Sequence, residues 1–211
     1  MRKTQTLIAL LAVLLLTRCA NVPSNTGAPP EGPVDTQAHE ERLRAISQWH
    51  LQAKAGLRSP EQNGSARLDW RHSPSSFDIS LSGPLGQGRV ELKGTPEGVV
   101  LTQPDSEPLR AESAEALLYQ QTGWDLPVGL LADWLLGLPA TKQPVDDLKR
   151  NDNGLLKTLS QAGWQLSYLN YQSVADVFLP GKVIATRELD NEQRIRLVIA
   201  VYDWHVTRNT P

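Results

Sequence analysis

Apolar and polar residues alternate with period two through the middle of the chain. Ala66, Leu68 and Trp70 alternate with Arg67, Asp69 and Arg71; Phe77, Ile79 and Leu81 with Asp78, Ser80 and Ser82; Val90 and Leu92 with Arg89, Glu91 and Lys93. Each segment has one apolar and one wet face, which predicts antiparallel strands buried on a single side. Turn residues separate them at Ser73-Pro74-Ser75, Gly83-Pro84-Leu85-Gly86 and Pro96-Glu97-Gly98. Hairpins this closely spaced favour a meander that curls or closes. Strand patterns return in Gln165–Tyr168, Lys182–Arg187 and Arg194–Ile199, and Trp204 and Val206 close the chain.

Helical spacing occurs in three places. From Thr36 to Trp49 the pattern is helical, with Leu43, Ile46, Ser47 and His50 on one face and Glu40 and Glu41 near the start, where the helix dipole favours acids. Ser113 predicts an N-cap for a helix over Ala114–Gln121. A further helix is expected from about Pro127 to Leu138, stopped by Gly137 and Pro139. Its Leu130, Leu131, Trp134, Leu135 and Leu138 make a broad apolar stripe. Helices placed inside a continuous antiparallel sheet fit two architectures equally well: a plug or lid on a concave sheet, or an α+β sandwich with a dry core.

The N-terminus has a different pattern. Arg2 and Lys3 precede an unbroken apolar run from Leu7 to Leu16. That is about half of the ~20 residues a membrane-crossing helix needs, so residues 1–18 read as an export signal. Leu16-Thr17-Arg18-Cys19 resembles the lipobox cut by lipoprotein signal peptidase, with Arg18 standing where that pattern has Gly, Ala or Ser. The resemblance implies lipidation at Cys19, and Ala20 after it is compatible with the outer membrane. Several acyl chains at ~0.8 kcal/mol per buried CH₂ hold a protein firmly. Residues 19–36, with Pro23, Pro29, Pro30 and Pro33, are expected to form a tether, and residues 37–211 a single domain.

Composition narrows the chemistry. Removing Arg2, Lys3 and Arg18 with the signal leaves 18 of the 21 Lys and Arg against 23 Asp and Glu, a net charge of −5, with no basic stripe in the sequence for nucleic acid. The single Cys excludes an internal disulfide and a Cys-based zinc cluster. No nucleophile elbow, His-Glu-x-x-His motif or phosphate loop is present, and His39, His50, His72 and His205 lie in separate segments. No catalytic residue, metal ligand or cofactor site is therefore predicted. The six tryptophans raise a cavity for an apolar ligand as an option. Leu85, at the tip of a Gly/Pro turn, is what a shallow membrane probe would look like.

Five stretches resemble a known family, the outer-membrane lipoprotein receptor LolB. They are Pro84-Leu85-Gly86 ahead of Val90-Glu91-Leu92, the helical Asp133-Trp134-Leu135-Leu136-Gly137-Leu138-Pro139, Gly163-Trp164, and the closing Gln193-Arg194-Ile195-Arg196-Leu197. The resemblance implies a curved antiparallel sheet forming an incomplete, half-open barrel, covered by helices over a hydrophobic cavity. It implies a monomer anchored in the outer membrane and facing the periplasm. Such a protein accepts client lipoproteins from the carrier LolA and inserts them into the membrane without ATP. Leu85 matches the family's protruding leucine. On the apolar faces, Trp70, Leu81, Leu131, Trp134, Leu135, Trp164 and Leu166 are the candidates for the cavity lining. Two other classes stay open beside it: a scaffolding lipoprotein with a dry core, and a lipid-modifying hydrolase lacking an identified nucleophile.

Overall fold

In the computed structural model the described residues are 27–60, 63–83, 88–122 and 126–208. The chain opens with helix α1 (Thr36–Arg44), followed by five long or medium strands: β1 (Ile46–Arg58), β2 (Asn63–Ser73), β3 (Ser76–Ser82), β4 (Val90–Thr95) and β5 (Gly98–Thr102). A short β6 (Leu109–Ala111) leads into helices α2 (Ala114–Thr122) and α3 (Val128–Leu135). Strands β7 (Val145–Arg150), β8 (Leu156–Gln161), β9 (Trp164–Leu169), β10 (Gln172–Val174) and β11 (Val177–Leu179) follow. The chain ends with β12 (Lys182–Glu188), a 3-10 turn at Asp190–Glu192, and β13 (Arg194–Arg208).

Eleven strands form one sheet in the order β6-β5-β4-β3-β2-β1-β13-β12-β9-β8-β7, and β10 and β11 form a separate two-stranded sheet. Every pairing is antiparallel, and β1 joins the two halves by pairing with β2 on one edge and β13 on the other. The outermost strands, β6 and β7, do not pair with each other, so the curved sheet stays an incomplete barrel. Of the two architectures left open by the sequence, the structure has the concave sheet with helices over it.

The helix expected over Thr36–Trp49 stops at Arg44. Asp35 caps its start, its carboxylate accepting from the Ala38 N–H at 3.1 Å. From Ile46 the chain is extended, because Trp49, Leu51, Ala53 and Leu57 alternate with outward Gln48, Gln52, Lys54 and Arg58. A strand there has its backbone paired on both edges, and that long-range pairing overrides a helical spacing of a few residues. Helix α3 is also shorter than expected, ending at Leu135. Gly137, at φ +78°, closes it: its N–H donates to Trp134 O at 3.0 Å, and the Leu138 N–H reaches Asp133 O at 3.2 Å. That is the usual glycine-terminated helix end.

Strands β7 and β8 had no counterpart in the sequence reading. β7 (VDDLKR) is a polar edge strand and shows little alternation. The stretch read as a tether is also shorter than expected. The Gly27 N–H donates to Ser173 O at 2.9 Å, the Val34 N–H to Asn153 O at 3.0 Å, and Asn153 Nδ2 to Pro30 O at 3.2 Å. Residues 27–35 are thus bound to the domain.

Candidate functional site: an apolar hollow between sheet and helices

The inner face of the sheet is filled at one end and hollow at the other. Around β8, β9 and β12 it is solid. Trp134, Leu135, Leu159, Trp164, Leu166 and Leu179 are each at most 2% exposed. The Trp134 and Trp164 rings lie 6.5 Å apart. Gln161, also fully buried, locks α3 to this end. Its Oε1 accepts from Trp134 Nε1 at 2.8 Å and from the Ala140 N–H at 2.9 Å, while its Nε2 donates to Ala140 O at 2.9 Å and Gln143 O at 2.8 Å. A buried amide with every bond made specifies one arrangement of its neighbours.

At the other end a cavity of about 340 Å³ separates sheet and helices. Its wall is the inner face of β1 to β5 and β13: Ala55 and Leu57, Ala66, Leu68 and Trp70, Ile79 and Leu81, Val90 and Leu92, Leu101, and Leu197 and Ile199. Its cover is Leu118 of α2, Leu126, and Val128 and Leu131 of α3. Polar atoms are sparse. Gly64, Ser65 and Gln103 sit at the rim, and the buried Trp70 Nε1 has no partner among the described residues. The cover is held lightly compared with the filled end. Glu115 Oε1 accepts from the Gly129 N–H at 2.8 Å, joining α2 to the first turn of α3.

Of the seven residues expected to line a cavity, Trp70, Leu81 and Leu131 do. Trp134, Leu135, Trp164 and Leu166 do not; they form the packed end. The correction has a physical reason: an apolar face says that a side chain is buried, whereas a void depends on whether the opposing surface reaches it. The residues missed are those of β1, β4, β5, β13 and α2, together with Ala66 and Leu68 of β2, Ile79 of β3, Leu126, and Val128 of α3. Val90 and Leu92 stood in a clear alternation. The small side chains of Ala55 and Ala66, facing each other across β1 and β2, were a volume signal that was available in the sequence.

Leu85 and Cys19 lie outside the described residues. Gly83 and Gly88, which flank Pro84–Gln87, both line the hollow.

The histidines are accounted for structurally. His39 is 4% exposed and its Nε2 accepts from the Phe178 N–H at 3.0 Å; burial lowers its pKa. Burial likewise lowers that of His72, whose ring stacks on Trp49 at 5.0 Å. On the outer face, His50 lies 3.0 Å from Asp69 and stacks against His205 at 5.8 Å. A second depression, of about 470 Å³, opens at the far end of the sheet. Gln48, Arg71, Asp78, Lys93 and Thr207 line it beside Trp49 and Phe77, so its wall mixes charged with apolar groups where the hollow's is almost wholly apolar.

An unclosed antiparallel sheet over an apolar hollow defines a class of fold. A crystal structure of a LolA superfamily protein from Nitrosomonas europaea shares it, with a TM-score of 0.53 at 12% identity, over 84% of this chain and 96% of that one. The sequence is more specific. The family model described as "Outer membrane lipoprotein LolB" matches residues 47–204, from β1 to near the end of β13. The outer-membrane lipoprotein LolB of Cellvibrio japonicus is 39% identical over 204 residues, covering 95% of this chain and 97% of that protein. The one from Nitrosococcus oceani is 38% identical over 193 residues, covering 91% and 94%. The chain therefore belongs to the LolB family of outer-membrane lipoproteins, which is not a family of enzymes.

Proposed function

We propose that this protein is an outer-membrane-anchored, periplasm-facing receptor that takes lipoproteins from the carrier LolA, shelters their acyl chains in the hollow and releases them into the outer membrane. The observation that carries this reading is the apolar lining of the 340 Å³ cavity. An acyl chain of ~16 carbons costs on the order of 12 kcal/mol to expose to water, at ~0.8 kcal/mol per CH₂. Handover from one hollow to another avoids that cost. The chain carries no phosphate-cradling loop, so transfer runs downhill without ATP: the hollow holds lipid better than the carrier does and less well than a bilayer.

Lipid on Cys19 anchors the domain, and Leu85 enters the membrane surface beside the rim of the hollow and promotes discharge. The protein works as a monomer. The test is to load the carrier with a labelled lipoprotein, mix it with a chain beginning at Ala20, and separate the two. The client should be found on this protein; a client that stays with the carrier at every ratio refutes the reading. Leu85→Glu should leave that uptake intact and abolish delivery into outer-membrane vesicles. Unchanged delivery by this variant removes the role given to Leu85.

A further inference from the structure

The back of the hollow's wall carries a concentration of positively charged side chains that make no ion pair among the described residues. Lys54 and Arg67 face each other across β1 and β2, and Arg58 and Arg196 face each other across β1 and β13. Lys182 lies in the same row as Lys54, with Ala200 between them. All five project from the outer face, since Ala53, Leu57, Leu68, Val183 and Leu197 beside them point inward and are buried. Lys54, Arg58 and Arg67 are exposed, and Arg196 and Lys182 half-buried.

Like charges directly opposite in a sheet are destabilising. Two such pairs side by side are conspicuous in a chain whose expected mature charge is −5. Most acids of this face are committed elsewhere; Glu188, at the end of β12, faces Arg194, the outward neighbour of Arg196 on β13. Asp69 accepts from Gln52 at 3.0 Å and lies 3.0 Å from His50 and 3.3 Å from Arg71. Asp78 and Glu91 are shared with Lys93 and Arg89, and Asp203 with His205. Among the described residues none of the five cations makes an ion pair.

We infer that this outer face is a docking surface for the phosphates of an anionic phospholipid bilayer, setting the domain against the membrane with the rim of the hollow close to it. Three observations favour a bilayer. The patch is dominated by Lys and Arg, residues that suit phosphates, and its exposed apolar neighbours Leu169, opposite Lys182, and Tyr202, two residues beyond Ala200, suit the headgroup level of a bilayer. Val198 and Ile184, half-buried, lie between the two rows, so the face alternates cations with short apolar side chains. The patch is also level with the rim: Arg67 faces Ser82, the last residue of β3, and Arg58 faces Asn63, four residues nearer the same end. As an outer-membrane lipoprotein the protein is always close to a bilayer. The inference does not depend on acyl chains entering the hollow.

The test uses a chain beginning at Ala20, which keeps every described contact and lacks the lipid anchor. Its binding to phosphatidylcholine vesicles is measured with and without phosphatidylglycerol, at about 0.05 M and 0.5 M salt. Each cation near an anionic surface contributes about fivefold to binding, so Lys54→Gln/Arg58→Gln/Arg196→Gln should lose on the order of a hundredfold at low salt. Its melting temperature should be unchanged or higher, because like-charge neighbours have been removed. Lys142→Gln/Lys149→Gln/Lys157→Gln, with the same change in net charge elsewhere, should bind as the parent does. The proposal is overturned by equal binding to both vesicle types, or by equal losses in the two triple variants. It is also overturned if the first variant binds vesicles normally but fails to take client from the carrier, which would place an acidic protein on this face.

Discussion

The two ends of the inner face are built from the same kinds of residue, yet one is solid and the other hollow. Around β8, β9 and β12 the indoles of Trp134 and Trp164 fill the space, and Gln161 fixes the end of α3 with four hydrogen bonds. The β10–β11 hairpin adds Val174, Val177 and Leu179, and α1 closes over it through His39. Under α2 and the first turn of α3 the sheet presents the small side chains of Ala55 and Ala66, which face each other across β1 and β2. The hollow thus follows from small side chains and a light cover, while the packed end supplies the stability that an unfilled cavity forgoes. One half of the core is filled and the other half is left open.

This comparison can be broken most sharply at Trp134. Trp134→Ala opens a cavity in the solid end and removes one of the two hydrogen bonds the Gln161 carbonyl accepts, so it should cost about 3–5 kcal/mol in a urea titration. A loss below about 1 kcal/mol would mean that the packed end is not what holds α3. Filling the hollow should do the reverse. Ala66→Leu adds three carbons to the void and should change stability by under about 1 kcal/mol, yet weaken a bound acyl chain by about 2 kcal/mol, some thirtyfold.

Chain length sharpens the same point. At roughly 30 Å³ per methylene, about the volume of a liquid water, the hollow takes about eleven carbons. Affinity for single-chain amphiphiles should climb about fourfold per CH₂ and level off near that length. A climb that continues to eighteen carbons would show that the cover opens further.

Acid should loosen the packing around two buried histidines, His39 against β11 and His72 against Trp49. Burial holds His39 and His72 below their ordinary pKa of 6.5, so the unfolded chain binds protons more readily than the folded one. Their contribution is complete above pH 6.5 and is lost as the pH falls from there through the folded values. The loss is at most about 1.4 kcal/mol per pH unit for each histidine. His39→Gln should flatten that slope between pH 6.5 and 5, and an unchanged slope would assign it to other groups. The smallest effect is expected at the cover. Glu115→Ala removes one hydrogen bond to α3, costing about 0.5–1.5 kcal/mol, and should show as faster amide exchange in α2 while β8 and β9 stay protected.

Much of this arrangement was legible before any coordinates. The alternation in β2, β3, β4, β9, β12 and β13 and the stripe of α3 are local facts, because a side chain's face is set by its neighbours two or four positions away. Strand β1 was not legible. Leu43, Ile46 and His50 fit a helix as well as a strand, and the pairing with β2 and β13 that decides between them involves residues up to about 160 positions apart. Edge strand β7 was hidden because Leu148 is its one apolar side chain packed against the core, too little to display an alternation. The lining was half legible: Trp70, Leu81 and Leu131 were named from pattern alone, but so were Trp134, Leu135, Trp164 and Leu166, which fill the other end.

By itself, then, the sequence determined which faces of most strands and of α3 are wet and which are apolar, and the family resemblance. Both are written in a residue's type and its near neighbours. The tertiary structure alone decided where the apolar faces meet and where they stop short of each other. A void is the difference between two surfaces brought together from distant parts of the chain, and no local pattern records that difference.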